Sequence, residues 1–223
     1  MEYGQFCPVA KASEIIGEKW TILVIREILV AGCSRFSELQ RGLGSISPTL
    51  LTKRLNDLVD AGLLMRKKMQ GRRGFEYFPT ESCEELRPII LGLGNWGMKW
   101  TRQNLTTEDH DPDLLMHYLQ RSIMPEKLPG TETVIRFSFA DLKARPHWWL
   151  VVKNYQVDTC DRDPGKDVDL YINTTVVSMV DIWTGRQTYR KAKADNNIEI
   201  VGPAALTRNV SSWMNNSVFA NES

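Results

Sequence analysis

Between residues 46 and 80 the chain reads ISPTLLTKRLNDLVDAGLLMRKKMQGRRGFEYFPT, and this run restricts the fold more than any other. Ser47 can cap a first helical turn, and Pro48 suits the position after it because proline has no N–H to lose. Leu51, Leu55, Leu58 and Val59 recur at three- and four-residue spacing, which predicts a helix with one buried face. Thr49, Thr52, Lys53 and Asn56 then point largely away from that core. Gly62 stops the helix. Two strand-like arms follow, Leu64 to Met69 and Phe75 to Pro79, around the turn Gln70-Gly71-Arg72-Arg73-Gly74, whose glycines allow positive φ. A helix that fits a major groove, followed by a basic hairpin, is the DNA-reading end of a winged helix.

Charge agrees with this placement. From Arg35 to Arg73 there are nine basic residues (Arg35, Arg41, Lys53, Arg54, Arg66, Lys67, Lys68, Arg72, Arg73) against three acids (Glu38, Asp57, Asp60), a local net of +6. The whole chain holds 28 basic and 27 acidic residues, so the basicity is concentrated where the helix and hairpin lie. Counterion release at phosphates requires such a concentration.

Along the rest of the first half, helices are expected at 8–16, 19–31 and 36–43, the last with Ser34 as cap. The short connection from Gly42 to Ile46 gives helix-turn-helix spacing. Another helix begins at Thr80 with acids in its first turn and carries Leu86, Ile89, Ile90, Leu93, Trp96, Met98 and Trp100. That is more apolar surface than a three-helix core can cover, and part of it is read as a dimer contact, with packing inside one chain as the alternative. Residues 101–113, TRQNLTTEDHDPD, form a polar, turn-rich linker. Beyond it, a helix at 114–124 precedes strands at 131–139, 148–152, 157–160 and 167–173. A helix at 174–184, a short helix at 188–194, a strand at 198–201 and a helix at 203–213 complete the chain. The expected architecture is a mainly α winged helix-turn-helix N-terminal domain, 1–105, plus a smaller α+β C-terminal domain, 114–223.

Several classes are excluded at this level. There is no apolar run of about 18 residues, so no membrane span is expected. The opening MEYGQFCPVAKASE lacks the pattern of a secretory signal, and a cytoplasmic location follows. Cys7, Cys33, Cys83 and Cys160 are scattered without metal or disulfide spacing, and His110, His117 and His147 form no metal or catalytic pattern. With no nucleophile–base pair or phosphate loop either, the chain is not expected to be an enzyme, and no catalytic residue, metal or cofactor is assigned.

Residues 6–100 resemble the HxlR-type family of winged-helix transcription regulators, which are MarR-like. The matching pieces are Cys7-Pro8, GEKWTILVIREI at 17–28, RFSELQRGLGSISPTLLTKRLNDLVDAGLL at 35–64, and YFPTE at 77–81 leading into a helix through Trp96. The resemblance implies a dimeric regulator of its own or adjacent promoters, with residues 48–60 in the major groove and Arg72-Arg73 at the wing tip. Residues 168–213 are similar to the sterol-carrier-protein-2-like lipid-binding module, in the order strand, helix, Trp-x-Gly, short helix, strand, Gly-Pro, helix. Asp195-Asn196-Asn197 stands where such modules more often carry a glycine turn. This second resemblance implies an apolar tunnel between sheet and helices, which beside a DNA-binding half would be a sensor pocket for an apolar small molecule.

The candidate base contacts are Ser47, Thr49, Lys53 and Arg54, since hydroxyls serve several base edges and Lys or Arg reaches guanine. Arg54 has an alternative in pairing with Asp57 or Asp60 on its own helix. Arg35, Arg72 and Arg73 are the candidate phosphate contacts, and at most one of Lys67 and Lys68 faces DNA. Candidate ligand-lining residues are Phe137, Phe139, Trp148, Trp149, Met179, Val180 and Trp183, with an ordinary packed core as the alternative. Cys7 is the redox candidate, because some family members are similar here and sense electrophiles or oxidants with this thiol. Lys11 one turn on could lower its pKa, and a buried structural thiol is the alternative. These residues together point to a ligand-responsive regulator that binds double-stranded DNA as a homodimer on palindromic promoter sites. The second reading is a thiol-sensing regulator with a structural C-terminal domain.

Overall fold

Pro8 opens the first helix, α1 (Pro8–Ile16), and the elements that follow in the N-terminal half build around one cluster of aliphatic side chains. The structure is a computed structural model that describes residues 2–71, 73–101, 106 and 109–220. The chain divides into two units, Met1–Trp96 and Gly97–Ser223.

In the first unit α2 (Thr21–Leu29), α3 (Phe36–Gly42) and α4 (Pro48–Asp60) enclose Val24, Ile25, Leu39, Leu51, Leu55 and Leu58, all buried. α2 starts later than its apolar pattern predicts because Trp20 takes a left-handed conformation, φ 79°. The cap of α3 is Arg35 rather than Ser34, because Glu38 Oε2 accepts from the backbone N–H groups of both residues, at 3.2 and 3.1 Å. Strands β1 (Leu64–Lys68) and β2 (Phe75–Pro79) pair antiparallel from Leu64 opposite Pro79 to Lys68 opposite Phe75. Thr80 then caps α5 (Glu81–Glu84), and its hydroxyl donates to the Gly62 carbonyl at 2.8 Å, tying the hairpin base to the end of α4. The single helix expected from Thr80 is two, α5 and α6 (Arg87–Trp100). Pro88 explains the break, since it has no N–H for the carbonyl of residue 84 and restricts the residue before it.

The second unit holds α7 (Pro112–Ser122), β3 (Glu132–Phe139), β4 (His147–Lys153), β5 (Gln156–Cys160), β6 (Leu170–Thr174), α8 (Val176–Trp183), α9 (Tyr189–Ala194), β7 (Ile198–Val201) and α10 (Ala204–Thr207). The sheet order is β5-β4-β3-β6-β7, with β3 and β6 parallel and every other pair antiparallel. Ile135, Phe137 and Phe139 share one sheet face with Trp148, Leu150, Leu170 and Ile172, and this face packs into the core with Met116 and Leu119 of α7 and Met179 of α8. The unit is α+β, with the expected succession of elements from β6 to α10. It is larger than the first unit, not smaller. The last helix is also shorter than expected: it ends at Thr207, and after Asn209, at φ −142°, only a 3-10 turn at Val210–Ser212 follows. Trp213, buried, closes this end by donating its indole N–H to the Leu206 carbonyl at 3.1 Å.

Candidate nucleic-acid interface

α4 has two sides with different occupations. Its apolar side is locked into the core by Leu51, Leu55 and Leu58. Its other side leaves Thr49, Thr52, Lys53 and Asn56 exposed. Ser47 is exposed at the cap and accepts the Leu50 N–H at 3.3 Å, which leaves its own hydroxyl hydrogen to donate. Thr52 donates to the Pro48 carbonyl at 2.9 Å and is the less available hydroxyl of the face. Ser47, Thr49 and Lys53 are thus brought to one surface of one helix.

Arg54 is not on that surface, which corrects its assignment as a base contact. Its side chain is only 8% exposed. Nε donates to the Lys19 carbonyl at 2.9 Å, Nη1 to Asp57 at 2.9 Å and Nη2 to Glu18 at 3.1 Å. A planar guanidinium that is buried, with all three nitrogens engaged, fastens α4 to the turn before α2 instead of facing a base. The pattern alone left this ambiguous, because Asp57 was visible on the same helix but Glu18 and Lys19 come from 35 or so positions away.

The hairpin supplies the second surface. Gly71 and Gly74 take φ 68° and 117°, so the turn uses the conformational freedom that only glycine supplies without strain. Arg73 is exposed, while Arg72 lies outside the described residues. Arg66 sits 4.5 Å over the Phe75 ring and Lys67 5.1 Å over Phe78, so the arms hold cations over aromatic rings beside the turn. Lys67 and Lys68 are both exposed. Arg35 is half exposed and pairs with Glu76 at 3.4 Å, which leaves part of its fork for a phosphate. Asn56 shares the exposed face with Lys53, although its spacing was not read as a contact. Its amide can address adenine, and its position one turn from Thr52 was the available signal.

The cysteines separate by exposure. Cys7 is exposed at the N-terminal end of α1, not buried. The Lys11 ammonium, one turn on, pairs with Glu14 at 2.9 Å. Burial pushes the Cys83 thiol up to about 11 and raises Cys160 as well, so neither is a ready thiolate.

In the second unit Phe137, Phe139, Trp148 and Met179 are buried in one cluster, and Val180 and Trp183 pack against it. Phe137 and Phe139 stack at 6.1 Å, and Trp183 stacks on Tyr118 at 4.7 Å. These side chains fill the space between sheet and helices instead of lining an apolar tunnel, which corrects their assignment as ligand contacts. Trp149 is on the opposite sheet face, with Val134 and Val151.

A helix-turn-helix with an exposed polar face on its second helix, followed by a basic two-stranded wing, defines a DNA-binding protein of the transcription-regulator class. The profile of the HxlR-like helix-turn-helix family matches residues 15–105. An uncharacterized HTH-type transcriptional regulator of Mycobacterium tuberculosis is 33% identical over 138 residues, covering 55% of this chain and 86% of that protein. YkvN of Bacillus subtilis, also an uncharacterized HTH-type transcriptional regulator, is 34% identical over 106 residues, 47% of this chain and 89% of its own. The chain belongs to the HxlR-like helix-turn-helix family, and its relatives are transcription regulators. Among solved structures, the redox regulator HypR in its oxidized form is 32% identical over 42% of this chain and 96% of its own, with a TM-score of 0.39. No helix among the described residues is long and apolar enough to cross a membrane.

Proposed function

We propose that this chain is a ligand-responsive transcription regulator that binds palindromic duplex DNA as a homodimer. The exposed face of α4 carries the proposal: Ser47, Thr49, Lys53 and Asn56 are the base-reading set, and Arg35, Arg73 and Arg72 of the wing take phosphates. α6 supports the dimer, with Ile89, Leu93, Trp96 and Trp100 exposed at spacings of four, three and four residues, and Trp96 and Trp100 at 57% and 63%. A stripe of that size on a monomer is an aggregation liability, and a two-fold contact between copies covers it on both. Leu93→Asp is therefore expected to give a monomer by light scattering and to lose DNA binding in step.

The second unit is the sensor in this reading. The succession from β6 to α10, including Trp183-Thr184-Gly185 and Gly202-Pro203, supports its likeness to the sterol-carrier-protein-2-like module. A ligand that binds one dimer geometry better than another changes the separation of the two α4 helices by linkage, and one with equal affinity for both changes nothing.

Fluorescence anisotropy on duplex DNA from the protein's own upstream region, across a salt series, tests the proposal. The affinity is expected to fall steeply with salt, each phosphate contact contributing about 0.9 to the log–log slope. Lys53→Ala with Arg73→Ala should flatten that slope by up to about 2. No salt-dependent binding to this or a random duplex would overturn the regulator reading.

The second reading is thiol or electrophile sensing through Cys7, with a structural C-terminal unit. Its support is the exposure of Cys7 at the start of α1. A DNA affinity that changes on mild oxidation, and no longer does so in Cys7→Ser, would favour it.

A further inference from the structure

The sheet of the second unit has two faces, and the core occupies one. On the other, strand register places His147, Ser138, Asn173 and Glu199 in a single row across β4, β3, β6 and β7. They are linked in pairs: His147 Nδ1 lies 3.2 Å from Ser138 Oγ, and Asn173 Nδ2 donates to Glu199 Oε2 at 2.8 Å. The row lies along a groove of about 450 Å³, bordered also by Pro146 and Asn197. This volume falls within the range of small-molecule sites, about 300–1,000 Å³.

The hydrogen bonds fix what the groove offers. Arg136 Nη2 lies 3.2 Å from His147 Nδ1 and 3.1 Å from Nε2, and a guanidinium can only donate, so it faces whichever ring nitrogen carries the lone pair. Nδ1 and the Ser138 hydroxyl share a hydrogen bond whose direction follows the ring tautomer. Desolvation, helped by the charge of Arg136, lowers the His147 pKa and keeps the ring neutral. In either tautomer the Ser138 hydroxyl keeps capacity for an occupant: its hydrogen when it accepts from His147, a lone pair when it donates. At the other end Asn173 spends an N–H on Glu199, which leaves the amide oxygen and the exposed carboxylate as acceptors. A hydroxyl and an imidazole therefore sit at one end of the row, and an amide oxygen and a carboxylate at the other.

Charge narrows the occupant further. Arg136 stands behind the His147 end and Glu199 flanks the other, so neither net sign is favoured along the whole groove. The start of α8 beside it is no anion site: Asp141 already accepts the Val176 N–H at 2.9 and 3.0 Å, and Thr175 Oγ1 accepts the Ser178 N–H at 3.0 Å. Pro146 adds a small apolar border.

We propose that this groove binds a neutral polyhydroxylated molecule of monosaccharide size. The inference rests on the ligand-responsive reading above and gives the ligand a polar chemistry in place of an apolar one.

Saturation-transfer NMR on the full-length protein tests it, with D-glucose, N-acetyl-D-glucosamine and myo-inositol as probes and decanoate as the apolar comparison. At least one polyol is expected to bind with a Kd of about 1 mM or tighter, and decanoate not at all. Ser138→Ala and Glu199→Gln should each weaken that binding about fivefold to tenfold. Glu199 is exposed, so its variant carries the test should Ser138→Ala fail to fold. Transfer from none of the polyols, from decanoate alone, or undiminished in both variants would overturn the proposal. DNA binding by the same preparation separates the two readings. DNA bound but no polyol bound overturns this inference alone. Polyol bound with DNA affinity unchanged by it overturns the ligand-responsive reading and leaves the groove assigned.

Discussion

Phe137→Ala is expected to destabilise the second unit by about 3–5 kcal/mol, the range for a large aromatic removed from a packed core. Phe137 is fully buried near the centre of the sheet, opposite Trp148 on β4 and Ile172 on β6, and stacked on Phe139. Each of these neighbours is held by its own strand, so the hole cannot collapse cheaply. Urea unfolding read by circular dichroism should show the loss in the transition assigned to this unit, with the transition of the first unit unmoved. The same substitution separates a filled core from a lipid tunnel. Were Phe137 a tunnel wall, alanine would cost under about 1 kcal/mol and widen the space for a longer acyl chain. Such a result would restore the apolar-ligand assignment.

The elements of both units were legible because periodicity and punctuation coincided. In α4 the cap at Ser47, the proline after it, the leucine spacing and the stop at Gly62 all report the same helix, and the structure places it at Pro48–Asp60. The hairpin was legible for the same reason, since Gly71 and Gly74 sit where the turn needs positive φ. Boundaries set by a single backbone group were less so: Pro88 divides what apolar periodicity reads as one helix. Side-chain roles were the least legible. A phenylalanine on a strand's inner face has one sequence signature whether it fills a core or lines a cavity, and only the packing of Phe137, Trp148 and Met179 decides. The polar row on the other sheet face was invisible, because Ser138, His147, Asn173 and Glu199 come from four strands whose register no local pattern gives.

Arg54 and Lys53 are adjacent, both basic and both on the helix expected to enter DNA, yet their alanine variants should fail in opposite ways. Arg54→Ala removes two hydrogen bonds that join α4 to Glu18 and Lys19 and a third to Asp57 on α4 itself, together with the buried stem of the side chain. Glu18 and Asp57 are 40% and 49% exposed and recover water, so the ion pairs themselves contribute little. The Lys19 carbonyl and the lost packing dominate, and the cost should be about 2 kcal/mol of stability in the first unit. In denaturant titration this appears as a lower midpoint. In anisotropy at low temperature, where the unit remains folded, DNA affinity should change little. Lys53→Ala touches no core residue and should leave the midpoint within about 0.5 kcal/mol. It should instead weaken DNA binding and reduce its salt dependence if the lysine meets a phosphate, or relax specificity at one base pair if it meets guanine. A normal midpoint with lost affinity in Arg54→Ala would return that residue to the DNA surface. The reverse result in Lys53→Ala would move the reading face of α4 away from the residues assigned to it. The pair therefore tests the orientation of the recognition helix about its own axis, on which every proposed base contact depends.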